Sequence, residues 1–221
     1  MTTLAFDVYG TLIDTNGVYE KLQTYIGERA GEFSRRWRNK QLEYSFRRAL
    51  MQNYCNFASC TEQALRYVDA ELDTKLSAEQ QQALLAAYRQ LPAFADVRSS
   101  LQALQERQVA MYAFSNGNAS AVQQLLEHAE LTEFFTDIVS TDEMQSFKPN
   151  PGVYSHFLRR ANASHNQAWL ISSNSFDVIG ARSAGMQAAW IKRDTSAVYD
   201  PWGIEPTITI TSLEQLPATQ F

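Results

Sequence analysis

The sequence predicts an α/β fold: a Rossmann-like parallel sheet with helices on both faces and an all-helical cap subdomain inserted after the first strand. Two observations carry this prediction. Short apolar runs alternate with helical patterns along most of the chain, which is typical of parallel strands joined by helical crossovers. Residues 16–91 interrupt that alternation, because they contain successive helical patterns and no convincing strand.

The strands are assigned to the short apolar runs in chain order. These runs lie at residues 4–8, 109–114, 138–139, 168–171, 188–191 and 208–210. Between the second and third runs, Val122, Leu125 and Leu126 recur at helical spacing, which indicates a crossover helix. Three further strand-to-helix steps follow, so the sheet continues to the carboxyl end of the chain.

The inserted segment is predicted to be helical, with helices at residues 49–54, 64–72 and 78–89 among others. Pro92 marks the return to the sheet, because the residue before a proline is disfavoured in a helix. We therefore divide the chain into a core of residues 1–14 and 93–221 and a helical cap of residues 15–92. Such a cap could close over the carboxyl ends of the strands and exclude water there.

Composition excludes several classes of protein. Hydrophobic residues make up 45% of the 221 residues and charged residues 19%, which is ordinary for a globular protein. The net charge of −5 offers no basic field for nucleic acid. No apolar stretch approaches the roughly 20 residues of a membrane helix, so we expect a cytoplasmic protein without membrane or nucleic-acid partners. Cys55 and Cys60 lack the spacing of a zinc site and are interpreted as free thiols.

Polar side chains follow four of the predicted strands. They are Asp7 and Thr11 after the first strand, Ser115 and Asn116 after the second, Lys148 after the third, and Ser172, Asn174 and Asp177 after the fourth. The carboxyl ends of parallel strands meet at one edge of a sheet, where open α/β sheets bind their ligands. The sequence therefore predicts a site at this edge.

The residue types suit nucleophilic catalysis by a carboxylate. Asp7 could attack an electrophilic carbon or phosphorus, and Lys148 would favour its ionised form. Ser115, Ser172 and Asn174 would donate hydrogen bonds to Asp7 or to an anionic substrate, and Asp177 is left for water or a metal. Any one of these residues could instead satisfy local backbone groups in a loop. Four such strand ends together favour a site.

The motifs at these strand ends resemble the haloacid dehalogenase superfamily. They are Asp7-x-Tyr9-Gly10-Thr11-Leu12, Ser115-Asn116-Gly117, Lys148-Pro149 and Ser172-Ser173-Asn174-x-x-Asp177. The resemblance covers the whole chain, and the helical insertion stands where that superfamily carries its cap.

Tyr9 distinguishes between subclasses of that superfamily. Its phosphatases carry a second Asp at this position, which protonates the leaving alcohol, and a phenol with a pKa near 10 is a poor substitute. Departing halide needs no proton. The cap segments at residues 37–44, with Arg38, and 53–57 are similar to the metal-independent L-2-haloacid dehalogenases (type II), in which the corresponding Arg faces the halide. The alternatives are core packing for Tyr9 and, for Arg38, a solvated basic face shared with Arg35 and Arg36.

The resemblance implies an (S)-2-haloacid dehalogenase. It would hydrolyse short-chain L-2-haloacids and haloacetates to hydroxyacids, giving D-2-hydroxyacids by inversion through an ester on Asp7, without metal or cofactor. The implied catalytic residues are Asp7, Thr11, Arg38, Ser115, Lys148, Ser172, Asn174 and Asp177. The implied substrate-binding residues are Val8, Tyr9, Asn39, Leu42, Phe57, Asn116, Tyr154 and Phe176.

Within that set, Arg38, Asn116 and Phe176 are expected to hold the leaving halide ion, and Asp177 to activate the hydrolytic water. Lys40, Gln41 and Leu42 are expected to line the entrance, and the cap helices to form a homodimer. Two other functions stay open: a Mg²⁺-dependent small-molecule phosphatase of the same fold, and a non-catalytic protein that binds a small anion. Asp7→Asn would separate catalysis from binding, because only a catalyst would lose turnover while keeping its ligand.

Overall fold

A computed structural model describes residues 2–218 of the chain. Its sheet has six parallel strands in the order β3-β2-β1-β4-β5-β6. The strands are β1 (Thr3–Phe6), β2 (Ala110–Ser115), β3 (Asp137–Ser140), β4 (Ala168–Ser172), β5 (Gln187–Ile191) and β6 (Ile208–Ile210). Each predicted strand is confirmed, with ends that differ by at most two residues.

Helices occupy the insertion and the crossovers. Those between β1 and β2 are α1 (Tyr19–Ile26), α2 (Ala30–Leu50), α3 (Phe57–Glu71), α4 (Ala78–Ala87) and α5 (Val97–Glu106). The later crossovers contain α6 (Ala119–His128), α7 (Pro151–Arg160) and α8 (Ser175–Ser183). The predicted α/β class is confirmed, and α1 to α4 lie in the predicted helical insertion.

The predicted helix at residues 49–54 is wrong. Helix α2 ends at Leu50, and Gln52 adopts a left-handed conformation with φ 53°. The amide of Gln52 bonds to the carbonyl of Ala49 and the amide of Asn53 to that of Arg48, which together make a Schellman stop. Gly or Asn usually occupies the left-handed position, so a Gln there gave no signal in the sequence.

The core lies on both faces of the sheet. Strand β1 is buried along its whole length, and its side chains alternate between faces. Leu4 and Phe6 pack into a cluster that continues into the helical insertion, whereas Ala5 packs into a second cluster with residues of α7 and α8. Helices therefore cover both faces, as predicted.

The chain leaves and re-enters the core side by side. The amide of Asp14 donates to the carbonyl of Pro92 at 2.8 Å, and the amide of Phe94 donates to that of Leu12 at 3.0 Å. These two short crossings connect the helical insertion to the sheet. The long helix α2 is held near the carboxyl end of β1, where Arg38 approaches the backbone carbonyl of Tyr9. No helix among residues 2–218 is long and apolar enough to span a membrane.

Candidate active site

Asp7 directly follows β1, at the point where the strand order reverses. Strand β1 pairs with β2 on one side and with β4 on the other, so a crevice opens at their carboxyl ends. The Asp7 amide donates to the carbonyl of Ile171 at 3.0 Å, which extends the pairing with β4 to Asp7 itself. The residue is 7% exposed, so its carboxylate needs partners.

Neutral donors surround one oxygen of the Asp7 carboxylate. Oδ2 accepts hydrogen bonds from Thr11 Oγ1 at 3.0 Å, Ser172 Oγ at 3.0 Å and Asn174 Nδ2 at 2.7 Å. Thr11 comes from the turn after β1, whereas Ser172 and Asn174 come from the end of β4. Hydrogen bonds to the ionised form of a carboxylate favour that form. The structure thus brings together three of the predicted catalytic residues around the fourth.

Lys148 lies between the two carboxylates of the site. Its Nζ donates to Asp7 Oδ1 at 3.3 Å, to Asp177 Oδ2 at 2.8 Å and to the carbonyl of Phe114 at 2.8 Å. The side chain is 1% exposed, so these three acceptors replace water around the ammonium. The positive charge separates two buried negative charges that would otherwise repel each other.

Asp177 is completely buried. Besides Lys148, its carboxylate accepts a hydrogen bond from the hydroxyl of Tyr154 at 2.8 Å. Burial raises the pKa of Asp177 to about 6, with the negative charge of Asp7 adding to the rise and Lys148 and Tyr154 opposing it. Asp177 therefore titrates close to neutral pH, where a general base is most effective.

Tyr154, a predicted substrate-binding residue on α7, lies against Asp177. Its side chain is fully buried, and its hydroxyl bonds to both the carboxylate and the carbonyl of Asp177. Burial raises the pKa of Tyr154, so it stays a neutral donor. Its contact with substrate stays a prediction, and the polar partner of this buried side chain in the structure is Asp177. Tyr154 orients Asp177 from behind.

Arg38 reaches the site from α2. Its Nη2 lies 3.5 Å from the carbonyl oxygen of Tyr9, and its Nη1 donates to Gln41 Oε1 at 2.7 Å. Gln41 Oε1 also accepts from the hydroxyl of Tyr88 at 3.2 Å, and Gln41 Nε2 donates to Thr61 Oγ1. Gln41 is only 1% exposed and holds Arg38 from within the insertion, and it also lies in the wall of a cavity beside Arg38.

Aromatic side chains pack together close to Asp7, around the ring of Tyr9. The Tyr9 ring stacks on Tyr88 with centroids 5.9 Å apart and contacts Phe57 at 5.7 Å. Burial raises the pKa of Tyr9, so the phenol keeps its proton. The core-packing interpretation of Tyr9 therefore applies, and its contact with substrate stays a prediction. Phe176 is half-buried against Phe46 of α2, at 5.0 Å.

The loop after β2 is tied to the other strand ends. Asn116 Oδ1 accepts from the amide of Lys148 at 2.9 Å and from Thr141 Oγ1 at 3.3 Å. Ser115 Oγ accepts from the amide of Gly117 at 3.1 Å, so it shapes this loop. No hydrogen bond from Ser115 to the carboxylate of Asp7 is found within residues 2–218, in contrast to Ser172.

Three further predicted substrate-binding residues differ in their exposure. The side chain of Val8 is fully buried, and its carbonyl accepts amide hydrogen bonds from the turn, so only its backbone could serve a ligand. Leu42 is half-buried, and Asn39 is exposed. Asn39 and Arg38 line a cavity of about 450 Å³ between α2 and the start of the insertion.

The contacts that two residues, Ser173 and Arg193, make at the site were not anticipated. Ser173 donates from its amide to Thr11 Oγ1 and from its hydroxyl to the carbonyl of Gly10. Arg193, after β5, donates to the carbonyl of Thr11 at 3.1 and 2.8 Å and forms an ion pair with Asp96. Ser173 belongs to the motif Ser172-Ser173-Asn174-x-x-Asp177, so the sequence offered a reason to assign it to the site. For Arg193 the sequence showed only a polar residue shortly after a predicted strand.

Comparison with known proteins identifies the family. Residues 1–185 match the model of the haloacid dehalogenase-like hydrolases. (S)-2-haloacid dehalogenase 2 of Pseudomonas sp. (strain CBS-3) is 36% identical over 97% of this chain and 93% of its own length. The (S)-2-haloacid dehalogenase of Pseudomonas sp. (strain YL) is also 36% identical, over 95% of this chain and 90% of its own length. The chain belongs to the L-2-haloacid dehalogenase family.

Solved structures support the same family. The L-2-haloacid dehalogenase of Xanthobacter autotrophicus with chloropropionic acid covalently bound aligns with a TM-score of 0.92 at 28% identity, over 99% of this chain and 97% of that one. This confirms the resemblance drawn from the sequence motifs, and with it the Rossmann-like core of this L-2-haloacid dehalogenase family member.

Proposed function

We propose that this L-2-haloacid dehalogenase family member hydrolyses short-chain L-2-haloacids, and haloacetates, through an ester on Asp7. The observation that supports the proposal most directly is the way in which the Asp7 carboxylate is held. It is held by three neutral donors on Oδ2 and by Lys148 on Oδ1, at the crevice where the strand order reverses. A nucleophile oriented in this way gains most of its advantage from positioning.

The first step is displacement at the halogen-bearing carbon. Asp7 attacks from the rear and inverts that carbon, while the carbon–halogen bond breaks and halide leaves with the bonding pair. Arg38, Asn116 and Phe176 are the residues that we assign to the halide. In support, the amide oxygen of Asn116 is engaged by the amide of Lys148, so its Nδ2 group is the end available to an anion. We assign the cavity beside Arg38 and Asn39 as the entrance.

The second step is hydrolysis of the ester at the side-chain carbonyl of Asp7. Asp177 takes the proton of the attacking water, since its pKa of about 6 leaves it mainly ionised at neutral pH. The D-2-hydroxyacid departs with its alcohol oxygen taken from Asp7, and the water supplies the new carboxylate oxygen. Lys148 stays beside Asp7 through both steps.

The proposed reaction uses no metal ion. Lys148 Nζ already provides a cation between the two carboxylates, 3.3 Å from Asp7 and 2.8 Å from Asp177. A Mg²⁺-dependent phosphatase would need its cation near Asp7, together with an acid at the position of Tyr9.

The test measures halide release from each enantiomer of 2-chloropropionate in the presence of excess chelator, beside phosphatase activity with Mg²⁺. We expect chelator-resistant release from the L enantiomer, with a D-2-hydroxyacid as product. Asp7→Asn should abolish release, whereas Asp73→Asn, at an exposed site in the insertion, should leave it intact. Phosphate-ester turnover without halide release would support the phosphatase, and ligand binding without any turnover the non-catalytic protein.

We further propose that residues 15–92 act as a cap over a core of residues 1–14 and 93–221, and that the protein is a cytoplasmic homodimer. Leu50 and Met51, at the end of α2, are 89% and 65% exposed, which supports a contact through the cap helices. Light scattering on the wild type and on a Leu50→Lys, Met51→Lys double variant tests this. A dimer that survives the double variant would place the contact elsewhere.

A further inference from the structure

The two cysteines of the chain lie next to each other in the helical insertion. Cys55 immediately precedes the N-cap of α3, and Cys60 lies in the first turns of that helix. Their sulfur atoms are 3.7 Å apart, although no disulfide joins them in this structure. A disulfide requires about 2.0 Å between sulfurs, so the two sulfur atoms must approach each other by about 1.7 Å for the bond to form.

Unequal exposure gives the two thiols different chemistry. Cys55 is half-buried, whereas Cys60 is fully buried. Burial, and the nearby Cys55 sulfur after it, raise the pKa of Cys60 to about 12. Because the thiolate is the reactive form, an oxidant reaches and attacks Cys55 first. Cys60 is then positioned to react with the oxidised sulfur.

We propose that Cys55 and Cys60 form a site of reversible oxidation, at which a peroxide converts the dithiol into an intramolecular disulfide. The Cys55 sulfur attacks one peroxide oxygen, the O–O bond breaks, and a sulfenic acid and one water result. The Cys60 sulfur then attacks the Cys55 sulfur, the S–O bond breaks, and the hydroxyl leaves as water with the proton of Cys60. Two thiols lose two electrons in total, and the peroxide is reduced to two waters.

The surroundings of the pair hold it in place for this reaction. Asn56, between the cysteines, caps α3 by accepting from the amide of Ser59 at 2.9 Å. Tyr54, just before Cys55, and Phe57, just after Asn56, both pack against Phe147, with ring centroids 5.2 and 6.1 Å from that of Phe147. The segment that carries Cys55 is therefore anchored at both ends. A sulfenic acid on Cys55 would meet Cys60 before it meets another chain or a second peroxide.

The experiment treats the folded, reduced protein with hydrogen peroxide and follows intact mass together with thiol content after denaturation. We expect the loss of two hydrogens, the disappearance of both thiols together, no interchain species on a non-reducing gel, and full recovery with dithiothreitol. In Cys60→Ser, Cys55 should instead gain oxygen or form interchain disulfides. In Cys55→Ser, Cys60 should keep its thiol over the same period.

Several outcomes would overturn the proposal. Addition of oxygen to the wild-type chain, or an interchain bond in place of the internal one, would show that the thiols do not meet. Equal oxidation of Cys60 in the presence and absence of Cys55 would contradict the order of attack. The mass and thiol measurements on the wild type decide the question even if a variant folds poorly.

Discussion

Replacement of Gln41 by Leu tests how the arginine of the proposed halide site is held. The side chain of Gln41 is buried, and its Oε1 accepts hydrogen bonds from Arg38 Nη1 at 2.7 Å and from the hydroxyl of Tyr88 at 3.2 Å. Leu fills a similar volume but accepts neither bond. Arg38 would keep its place on α2 while losing the partner that fixes the direction of its guanidinium.

The expected loss follows from the energy of these bonds. A hydrogen bond to a charged group contributes about 1.5–3 kcal/mol. If that energy holds Arg38 in the geometry that the displacement needs, kcat for L-2-chloropropionate should fall roughly 10- to 150-fold. The unpaired hydroxyl of Tyr88 should add about 1–3 kcal/mol of lost stability, measured by urea unfolding.

A matched variant separates positioning from general damage. Gln63 accepts a hydrogen bond from Arg48 at 3.0 Å on the exposed face of α3, so Gln63→Leu also removes an Arg–Gln contact from the insertion. We expect it to leave kcat within about twofold, as surface changes have small effects. A wild-type kcat in Gln41→Leu, or an equal loss in both variants, would refute the role of Gln41 in positioning Arg38.

Three other variants address the buried charges and their supports. Lys148→Met leaves two buried carboxylates without their cation, so the free energy of unfolding measured in urea should fall by about 3–5 kcal/mol and halide release should be abolished. Unchanged stability would contradict the pairing of Lys148 with these carboxylates. Tyr154→Phe removes a hydrogen bond that lowers the pKa of Asp177. The acid limb of the pH profile of kcat should therefore move to higher pH by roughly one unit. An acid limb that does not move would mean that Asp177 is not the base. Arg193→Met should lower kcat and cost about 3–5 kcal/mol of stability. Arg193→Lys should restore stability only in part, because Lys lacks the planar guanidinium that makes two hydrogen bonds to the carbonyl of Thr11. Full restoration of stability by Lys would argue against these paired contacts.

The sequence predicted the parts of the site that follow strand ends. Asp7, Ser172 and Asn174 stand directly after apolar runs, and parallel topology requires those ends to meet. The sequence could not show which neighbours each side chain selects. Tyr154 lies on α7, and only the packing of α7 against α8 brings its hydroxyl to Asp177.

The insertion was harder to interpret than the sheet. Helix α2 was not recognised as one long helix, because its buried positions include the polar Gln41 and Ser45 beside Trp37 and blur the apolar stripe. The same Gln41 follows Arg38 by three residues, which places both on one face of the helix. That spacing was visible in the sequence, but burial of Gln41 depends on α3 and on Tyr88, which are distant in the chain.

The charges of the site suit a reaction in two steps. Asp7, Lys148 and Asp177 together carry one net negative charge when both carboxylates are ionised. Formation of the ester removes the charge of Asp7, which is one of the causes that raise the pKa of Asp177. Asp177 is therefore more fully ionised in the proposed ester than in the free enzyme, so the group that we propose as the base becomes available at the step that needs it. Where ester hydrolysis limits turnover, the acid limb of kcat should accordingly lie below pH 6, and a limb above the free-enzyme value would contradict this coupling.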